Sequence, residues 1–341
     1  MDITNLEDIN DMKELMDLHK LCFKDSDAYI SFFFGIRYQK EHSFVTKLAD
    51  KIICAVHARI INLQIGDKLL QIPFLTGIAT HPDHRNKGLA KALIAQAIAS
   101  YKERGFPFVI LHPFKVSFYE NLGFAPINFY KETTAKYDGK SDVIPSSDYS
   151  TEEMLTAITA EYKKAVKNQF AYIVRDEYYF TEMMYEHFIE GGSGAVLIDN
   201  GNPNGYLLSF AENMREVVSY DKNIANRVLE LDSLKIKNLT KHGEPYSMAH
   251  ATDVALMLKV LPLNNITTVI TFVVEGVQYT ADIAHGKLIN LTNTDIKTDI
   301  IMNISQFTGI CLGCGYRYND SALAPFKALF PTYNIFIYEQ Y

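Results

Sequence analysis

One turn of the sequence, residues 85–90 (RNKGLA), combines positive charge, a glycine and the start of a helix. Gly88 allows the backbone to approach a ligand closely, and the first N–H groups of the following helix lack intrahelical partners. Arg85 and Lys87 add two cations at the positive end of the helix dipole. The turn is therefore predicted to cradle a phosphate group. The alternative is a basic, solvated turn before an ordinary helix.

A strand and a helix must hold this turn in place. The strand covers about residues 72–79 and ends at the polar break His81-Pro82-Asp83. After the turn, the apolar residues change to the period of a helix with one buried face, which predicts a helix packed on a sheet. These residues are Leu89, Ala90, Leu93, Ile94, Ala97 and Ile98.

This strand, turn and helix resemble the pyrophosphate loop of the GNAT superfamily of acetyl-CoA-dependent N-acetyltransferases. Arg85, Gly88 and Ala90 fill its pattern Arg/Gln-x-x-Gly-x-Gly/Ala. The resemblance implies that the turn binds the pyrophosphate and that main-chain groups of the preceding strand contact the pantetheine and thioester. The implied acetyl-CoA contacts are Ile78, Ala79, Thr80, Arg85, Asn86, Lys87, Gly88, Leu89 and Ala90.

A second stretch, residues 118–124 (FYENLGF), follows a predicted strand at 108–112 and resembles the GNAT segment Phe-Tyr-x-x-x-Gly-Phe. The resemblance implies that Tyr119 protonates the leaving thiolate of coenzyme A, which a phenol within hydrogen-bond reach can do. The alternative is that Tyr119 only packs beside Phe118. Phe114 and Lys115 would also lie near acetyl-CoA by position, although relatives carry a small polar residue and an acid there.

Length and composition limit the classes of protein. A chain of 341 residues exceeds one comfortable core, so two or three domains are expected. No apolar run approaches the roughly 20 residues of a membrane helix, and the start MDITNLEDIN lacks the layout of a signal peptide. We therefore expect a cytoplasmic protein that does not bind a membrane. The net charge of −7 argues against a nucleic-acid partner and is compatible with a cationic substrate.

The four cysteines are too few and too scattered for a disulfide framework. Cys311 and Cys314 form a Cys-x-x-Cys pair, which could indicate zinc or redox chemistry. No second pair and no histidine at ligand spacing accompany it. Packed thiols and no bound metal are therefore expected.

The predicted elements follow the GNAT order in the first part of the chain and repeat part of it in the second. Helices are predicted at 8–23 and 27–36 and strands at 44–48, 52–58, 59–65 and 68–74. A segment rich in Gly, Pro, Ser and Asp at 137–150 indicates a linker. Helices at 151–165, 176–188 and 224–231 and strands at 194–199, 205–211 and 216–220 follow. Tyr220-Asp221-Lys222-Asn223 stands in place of a basic glycine turn, so this second copy is not expected to bind coenzyme A.

The last hundred residues resemble the sterol carrier protein type 2 fold, with an apolar run at 254–262, strands at 269–275, 278–284 and 287–292, and helices at 300–308 and 321–329. The whole chain then resembles the "enhanced intracellular survival" acetyltransferase family. An α/β (α+β) fold with mixed sheets flanked by helices is implied: a catalytic GNAT domain at 1–138, a degenerate GNAT-like domain at 139–250 and a sterol-carrier-like domain at 251–341. Members of that family assemble as hexamers. A lipid tunnel is the alternative reading of the third domain.

The segment 331–341, PTYNIFIYEQY, is β-prone and apolar, so an element of the fold should hold it. The family resemblance implies that the α-carboxylate of Tyr341 reaches the active site as the base that deprotonates the amine. A carboxylate is a weak base toward an ammonium, which favours relay or orientation over direct abstraction. The alternative is a strand that simply packs.

Five further polar residues are weaker candidates. His57 lies mid-strand, where a structural role is the preferred interpretation. His81 and His84 flank the turn, either as solvated residues or as ligand contacts. Asp25 and Asp27 could border the amine site, although a helix cap at Asp27 explains that residue equally well.

These patterns together predict an acetyl-CoA-dependent N-acetyltransferase that transfers acetyl directly to a primary amine in a ternary complex. Family members act on aminoglycosides and polyamine-like compounds. Alternative acceptors are a protein lysine or a metabolite amine. The alternative from another class is a coenzyme A or lipid-binding module without catalysis.

Overall fold

The computed structural model describes residues 3–4, 9–135, 142–145, 151–199, 202–210, 213–219 and 234–337. Within them the fold is the predicted α/β class, with mixed sheets flanked by helices. The first part contains β1 Ile3–Thr4, α1 Ile9–Phe23, α2 Asp27–Phe32, β2 Ser43–Leu48, β3 Lys51–Ile65, β4 Lys68–Thr80, α3 Leu89–Glu103, β5 Phe108–Leu111, α4 Val116–Glu120 and β6 Ala125–Ala135.

The remaining elements fall into two further groups. The first of them contains β7 Asp142–Pro145, α5 Thr151–Val166, β8 Ala171–Ile173, α6 Glu177–Ile189, β9 Ser193–Asp199, β10 Asn202–Phe210, β11 Asn213–Ser219, β12 Leu234–Thr240 and β13 Glu244–Ala251. The second contains α7 Val254–Val260, β14 Thr268–Val274, β15 Val277–Ala284, β16 Lys287–Asn293, β17 Ile301–Met302, α8 Ile304–Gly309, α9 Ala324–Lys327 and β18 Ile335–Phe336.

One sheet of 14 described strands contains β1–β13 and β18, in the order β1-β2-β3-β4-β5-β13-β6-β12-β11-β10-β9-β7. Strand β8 pairs with β3, and β18 pairs with β8. Strand β13 lies antiparallel between β5 and β6, although more than 100 residues separate it from β6 in sequence. The first part of the chain therefore completes its sheet with a strand, Glu244–Ala251, that comes almost entirely from the predicted second domain, 139–250. The predicted division into three domains stays a prediction.

A gap opens in this sheet where β4 and β5 part. The two strands pair in parallel at Phe74 with Ile110 and at Leu75 with Leu111. Strand β5 then ends at Leu111, whereas β4 continues to Thr80. Helix α3 packs against the sheet beside this gap through the buried face that its apolar period predicted, formed by Leu89, Leu93, Ile94, Ala97 and Tyr101.

Several predicted elements differ from those observed. Residues 52–58 and 59–65, predicted as two strands, form the single strand β3. The predicted helix 27–36 ends as α-helix at Phe32 and continues as a π-helical turn, Phe33–Arg37. The predicted helix 300–308 is α-helical only from Ile304, because the Asn303 side chain caps the helix at that point. The predicted linker contains strand β7, which pairs with β9. The predicted helix 224–231 lies outside the described residues.

The C-terminal segment is held as its apolar sequence predicted. Strand β18 pairs in parallel with β8, and the Asn128 side-chain amide of β6 donates hydrogen bonds to the carbonyls of Ile335 and Ile337. The smaller sheet, β16-β15-β14-β17, packs against α7 and α9. No helix among the described residues is long and apolar enough to cross a membrane.

Candidate active site

A cavity of about 780 Å³ lies where β4 and β5 part, at the start of α3 and beside α4. Its volume is within the range of cofactor and ligand pockets in proteins. All but one of the predicted acetyl-CoA contacts line it, and we call it the donor cavity. These lining residues are Ile78, Ala79, Thr80, Arg85, Asn86, Gly88, Leu89, Ala90, Phe114 and Lys115; Cys22, Phe23, His84, Lys91, Ser117, Phe118 and Asn121 complete the wall.

The basic turn has the backbone of an anion cradle. Asn86 and Gly88 both adopt positive φ, at 62° and 77°, and Gly88 is the N-cap of α3. No side chain caps the helix at this end, and Gly88, Leu89 and Ala90 line the cavity, so N–H groups without intrahelical partners lie at its wall. The Arg85 Nε donates to the Thr80 carbonyl at 3.2 Å, which ties the turn to the end of β4. Lys87 is the exception among the predicted contacts, because it is absent from the cavity wall and its ammonium donates to the Asp83 carbonyl at 3.1 Å.

Strand β4 carries a bulge at the inner end of the donor cavity. Between Ala55 and His57 of β3, β4 advances from Thr76 to Ala79, so β4 holds one extra residue. Gly77 adopts φ of +56° there, and a Cβ atom on it would stand 2.7 Å from His57 Cδ2. A bulge leaves a residue unpaired in the ladder and redirects its backbone groups. The bulge therefore offers main-chain groups where a bound thioester is expected.

His57 supports this bulge from beneath. Its side chain is buried, and its Nδ1 lies 2.9 Å from the Ser43 hydroxyl. Burial, with a smaller contribution from neighbouring His19, lowers the pKa of His57 to about 3. His57 is thus a neutral, hydrogen-bonded residue of the sheet, in agreement with the structural role preferred from sequence.

Tyr119 lies on α4 and does not itself line the donor cavity, but its ring contacts Phe114 and Phe118, which do. Its ring is 2% exposed and stands edge-on to Phe118 and Phe114, at centroid distances of 5.0 and 5.7 Å. Phe114, which is 77% exposed, and Lys115, the N-cap of α4, both line the cavity. Burial raises the pKa of the Tyr119 phenol above its ordinary value. Tyr119 therefore keeps its proton at neutral pH, as a hydrogen-bond donor must.

A second cavity of about 330 Å³, the acceptor cavity, lies on the other side of the bulge. Phe23 lines both cavities, and the consecutive residues Gly77 and Ile78 line the acceptor and donor cavities respectively. The two spaces therefore meet at the β4 bulge. The wall combines residues of α1, α2, β4, α6 and β11 and of the turns that flank α2 and end α6: His19, Phe23, Asp25, Tyr29, Phe33, Thr76, Gly77, Glu186, Glu190 and Arg215.

Sequence patterns did not identify the part of this wall that comes from α6 and β11. Glu186 accepts two hydrogen bonds from Arg37, at 2.8 and 3.0 Å, and one from Arg215 at 2.5 Å. Glu182, one turn earlier on α6, binds Arg59 at 2.5 Å. The spacing of Glu182, Glu186 and Glu190 was a usable signal, because residues four apart share one face of a helix.

Of the two aspartates and two histidines that were weaker candidates, one of each type lines a cavity. Asp25 lines the acceptor cavity and lies 2.9 Å from the His19 Nε2. Asp27 does not line the acceptor cavity; it pairs with Lys20 at the surface and is the first residue of α2, whose N-cap is Ser26, so the alternative of a cap at Asp27 is off by one residue. His84 lines the donor cavity, whereas His81 accepts a hydrogen bond from the Asp83 amide.

The Cys-x-x-Cys pair lies away from both cavities. Cys311 and Cys314 are buried, and the Cys314 thiol donates to the Ile127 carbonyl at 3.3 Å, as packed thiols do. Tyr341, the predicted base, lies outside the described residues.

Residues 4–127 match the family model for the acetyltransferase (GNAT) domain. The protein carries a GNAT acetyltransferase domain. The matched segment includes the basic turn, the bulge and Tyr119, so the predicted enzyme class, an N-acetyltransferase, is confirmed. GNAT domains use acetyl-CoA as co-substrate, which agrees with the predicted donor. No curated protein matches the chain in sequence.

Solved structures share the fold over the whole chain at low identity. A probable N-acyltransferase from Enterococcus faecalis V583 is 15% identical with a TM-score of 0.79, covering 100% of this chain and 99% of that chain. Eis1 from Mycobacterium abscessus is 12% identical with a TM-score of 0.73, and a GCN5-related N-acetyltransferase from Anabaena variabilis is 14% identical with a TM-score of 0.72; each comparison covers 100% of both chains. At these identities the likeness establishes the fold alone.

Proposed function

We propose that the protein transfers acetyl from acetyl-CoA directly to a primary amine of a cationic acceptor, with both substrates bound together. The observation that carries this proposal is the meeting of the donor and acceptor cavities at Phe23 and the β4 bulge. An amine in one cavity and a thioester in the other would face each other across Gly77 and Ile78. Direct transfer then depends chiefly on positioning the two reactants, which is a large source of rate acceleration.

The donor cavity fits acetyl-CoA in charge and shape. Its outer end has the helix N-terminus at Gly88 and the Arg85 guanidinium, both suited to a pyrophosphate. Its inner end has the bulge of β4, whose main chain would bind the thioester and polarise the carbonyl oxygen. Phe114 and Lys115 would contact the cofactor between these ends.

Tyr119 is the proposed acid. When the tetrahedral intermediate collapses, the C–S bond breaks, and the departing thiolate takes a proton. A phenol kept protonated by burial can donate that proton, and positioned acids of this kind contribute typically 10²–10⁴-fold to rate. No side-chain nucleophile is needed, because the amine attacks the thioester itself.

The acceptor cavity favours a cationic amine. Three carboxylates, Asp25, Glu186 and Glu190, and the aromatic rings of Phe23, Tyr29 and Phe33 line it. Carboxylates and aromatic faces both attract ammonium groups. An aminoglycoside, a polyamine, a metabolite amine and a protein lysine all satisfy this chemistry, so the acceptor is proposed at the level of a primary amine.

The proposals for the catalytic base and for the oligomeric state rest on the resemblance to the "enhanced intracellular survival" family. Eis1 represents the fold of that family among the structures above. Strand β18 runs parallel to β8, in the direction that leads along β3 from Ile65 toward His57, which supports delivery of the following residues toward the site. We propose the Tyr341 carboxylate as the base or relay, the third part of the chain as a sterol-carrier-like domain, and a homo-hexamer as the assembly.

The test is thiol release from acetyl-CoA with a panel of aminoglycosides, polyamines and lysine peptides, comparing the wild type with Tyr119→Phe. The variant should lose 10²-fold or more in kcat while binding acetyl-CoA with unchanged affinity. Tyr130→Phe is the matched control, because it removes a hydroxyl that binds Glu244 at a distance from both cavities. Acetyl-CoA binding without turnover on any amine would favour a coenzyme A binding module without catalysis.

A further inference from the structure

The backbone of the β4 bulge packs directly on a side chain of the neighbouring strand. Opposite Val56 of β3, β4 holds both Gly77 and Ile78. His57 is 3% exposed, and three of its ring atoms lie within 3.7 Å of the position that a Cβ atom on Gly77 would take. Among the described residues, and apart from the chain neighbours of Gly77, these are the three heavy atoms closest to that position. The imidazole ring therefore fills the space beside the bulge, and only glycine fits next to it.

Hydrogen bonds fix the orientation and the tautomer of this ring. The Ser43 hydroxyl donates to the Gln39 carbonyl at 3.0 Å and lies 2.9 Å from His57 Nδ1. Because a hydroxyl has a single proton, Ser43 accepts from Nδ1, which therefore carries the proton of the neutral ring. Burial lowers the pKa of His57 to about 3, so the ring stays neutral near pH 7. His57 is thus a rigid support and not an acid or base of the reaction.

Three aromatic rings hold the His57 ring from other sides. Phe33, Phe34 and Tyr38 each stand edge-on to it, at centroid distances of 5.7, 6.0 and 5.7 Å. All three belong to the π-helical turn Phe33–Arg37 and the residue that follows it. Such turns are frequent at functional sites. Phe33 also lines the acceptor cavity, so the His57 ring is packed between the wall of that cavity and the bulge.

The chemistry proposed for the bulge depends on its exact position. Gly77 lines the acceptor cavity and Ile78 lines the donor cavity, so the backbone between them borders both spaces. Main-chain groups polarise a carbonyl only at hydrogen-bond distance, and a misplacement of about 1 Å can cost roughly 10²-fold in rate. Gly77 has no side chain of its own that could anchor this backbone. The anchor has to come from a neighbouring residue, and His57 is the side chain in contact.

We propose that His57 is a positioning residue for acetyl transfer, whose ring holds the backbone of Gly77 and Ile78 in the conformation that binds the thioester. The inference rests on the proposed amine acetylation and adds to it a residue that is absent from the walls of both cavities. His57 acts through the bulge alone. Its loss should therefore lower kcat and leave the affinity for free coenzyme A unchanged, because free coenzyme A has no thioester carbonyl.

The first experiment measures kcat and the calorimetric dissociation constant of coenzyme A in His57→Gln. This variant keeps an amide donor for the Ser43 hydroxyl and replaces the rigid ring by a flexible chain. We expect kcat to fall by about tenfold or more, with a change of less than about twofold in the dissociation constant. The pH profile of kcat should keep its shape. His242→Gln, at an exposed histidine absent from both cavity walls, is the matched control and should keep the wild-type kcat.

A double-mutant cycle with Gly77→Ala tests the contact itself. The added methyl group would stand 2.7 Å from His57 Cδ2, so the bulge has to move in the wild type, whereas the flexible chain of His57→Gln can yield. Gly77→Ala should therefore lower kcat by about tenfold or more in the wild type and by less than about threefold in His57→Gln. Gly105→Ala is the matched control, because Gly105 also has a positive φ, +79°, but its added methyl group meets open space. Its effect on kcat should be the same in both backgrounds.

Ser43→Ala is the second variant and decides the question where His57→Gln does not fold. It keeps the ring of His57 but removes the acceptor of its Nδ1 proton. We expect kcat to fall by about threefold or more, again with an unchanged dissociation constant of coenzyme A.

The outcomes separate this inference from the proposed function. If the wild type acetylates an amine but neither His57→Gln nor Ser43→Ala lowers kcat, the positioning role is overturned while amine acetylation stands. Independent effects of Gly77→Ala and His57→Gln in the cycle would also overturn it, as would a loss of coenzyme A affinity that parallels the loss of kcat. No turnover with any amine in the wild type, despite acetyl-CoA binding, would instead contradict the proposed function itself.

Discussion

The donor and acceptor cavities meet at one bulge but are built in different ways. The donor side comes mainly from one continuous stretch, residues 78–121, and depends on backbone geometry: a bulge, a positive φ at Gly88 and a helix N-terminus. The acceptor side joins side chains of α1 and α2 to those of α6 and β11, far apart in sequence. The wall of the donor cavity is thus mostly local in sequence, whereas the wall of the acceptor cavity depends on how two parts of the chain pack.

This difference has a physical basis. Main-chain N–H groups at a turn are fixed by local dihedral angles, so a short motif suffices to bind phosphate. A charged cavity wall needs buried ion pairs such as Arg37–Glu186, whose partners must be brought together by the whole fold. A substitution in the wall of one cavity should therefore change the affinity for one substrate and leave the affinity for the other substrate unchanged.

The largest expected effect is on the acceptor side, at Glu186. Replacing Glu186 by Gln removes the carboxylate that both Arg37 and Arg215 contact, and Arg37 is only 3% exposed in its side chain. Loss of one partner of a buried ion pair costs about 3–5 kcal/mol of unfolding free energy. Urea unfolding should show this loss, and KM for the amine should rise while the dissociation constant of acetyl-CoA stays the same.

Glu103→Gln, at an exposed position on α3 of the donor side, is the control for Glu186 and should leave stability within about 0.5 kcal/mol. If Glu186→Gln weakened acetyl-CoA binding as much as amine binding, the conclusion that the two cavities bind different substrates would be wrong.

The next effect concerns His57, beneath the bulge that both cavities share. Burial lowers its pKa to about 3, whereas an unfolded histidine titrates near 6.5. Between these pH values the unfolded chain binds more protons, so stability falls as pH decreases from 6.5 toward 3. Protonation of this one group in the unfolded chain lowers the free energy of unfolding by about 2 kcal/mol at pH 5 relative to pH 8.

The measurement for His57 is the change in unfolding free energy between pH 8 and pH 5 in the wild type and in His57→Gln. The variant should lose about 2 kcal/mol less over this interval. His42 and His187, whose pKa values burial lowers to about 4, should still contribute to the remaining loss. If the free energy of unfolding fell by the same amount in both proteins between pH 8 and pH 5, His57 would not be a source of the pH dependence of stability.

The smallest effect is on the donor side, at Arg85. Arg85→Ala removes one cation from the basic turn, which is proposed to bind the pyrophosphate, and removes its hydrogen bond to the Thr80 carbonyl. One charge-assisted contact corresponds to roughly a tenfold rise in KM for acetyl-CoA. KM for the amine should not change, and Lys163→Ala, an exposed lysine on α5, serves as control. If KM for the amine rose instead, the turn would contribute to binding of the amine and not to binding of acetyl-CoA.

Much of the donor side was predictable from sequence. The basic turn and the helix after it have local signals, and the structure places them around one cavity. Lys87 was the exception, because the direction of a long side chain depends on its neighbours, here the Asp83 carbonyl. The acceptor wall was mostly missed, since Glu186, Glu190 and Arg215 lie on ordinary amphipathic elements whose partners are remote.

The sequence by itself determined the α/β class, the order of most helices and strands, and the GNAT turn, because periodicity, caps and glycine positions act within a few residues. Only the tertiary structure decided that β13 completes the first sheet between β5 and β6, that α6 closes the acceptor cavity, and that His57 lies beneath Gly77. These arrangements depend on long-range strand pairing and on buried ion pairs between distant segments. Local sequence patterns cannot specify the partner in either case.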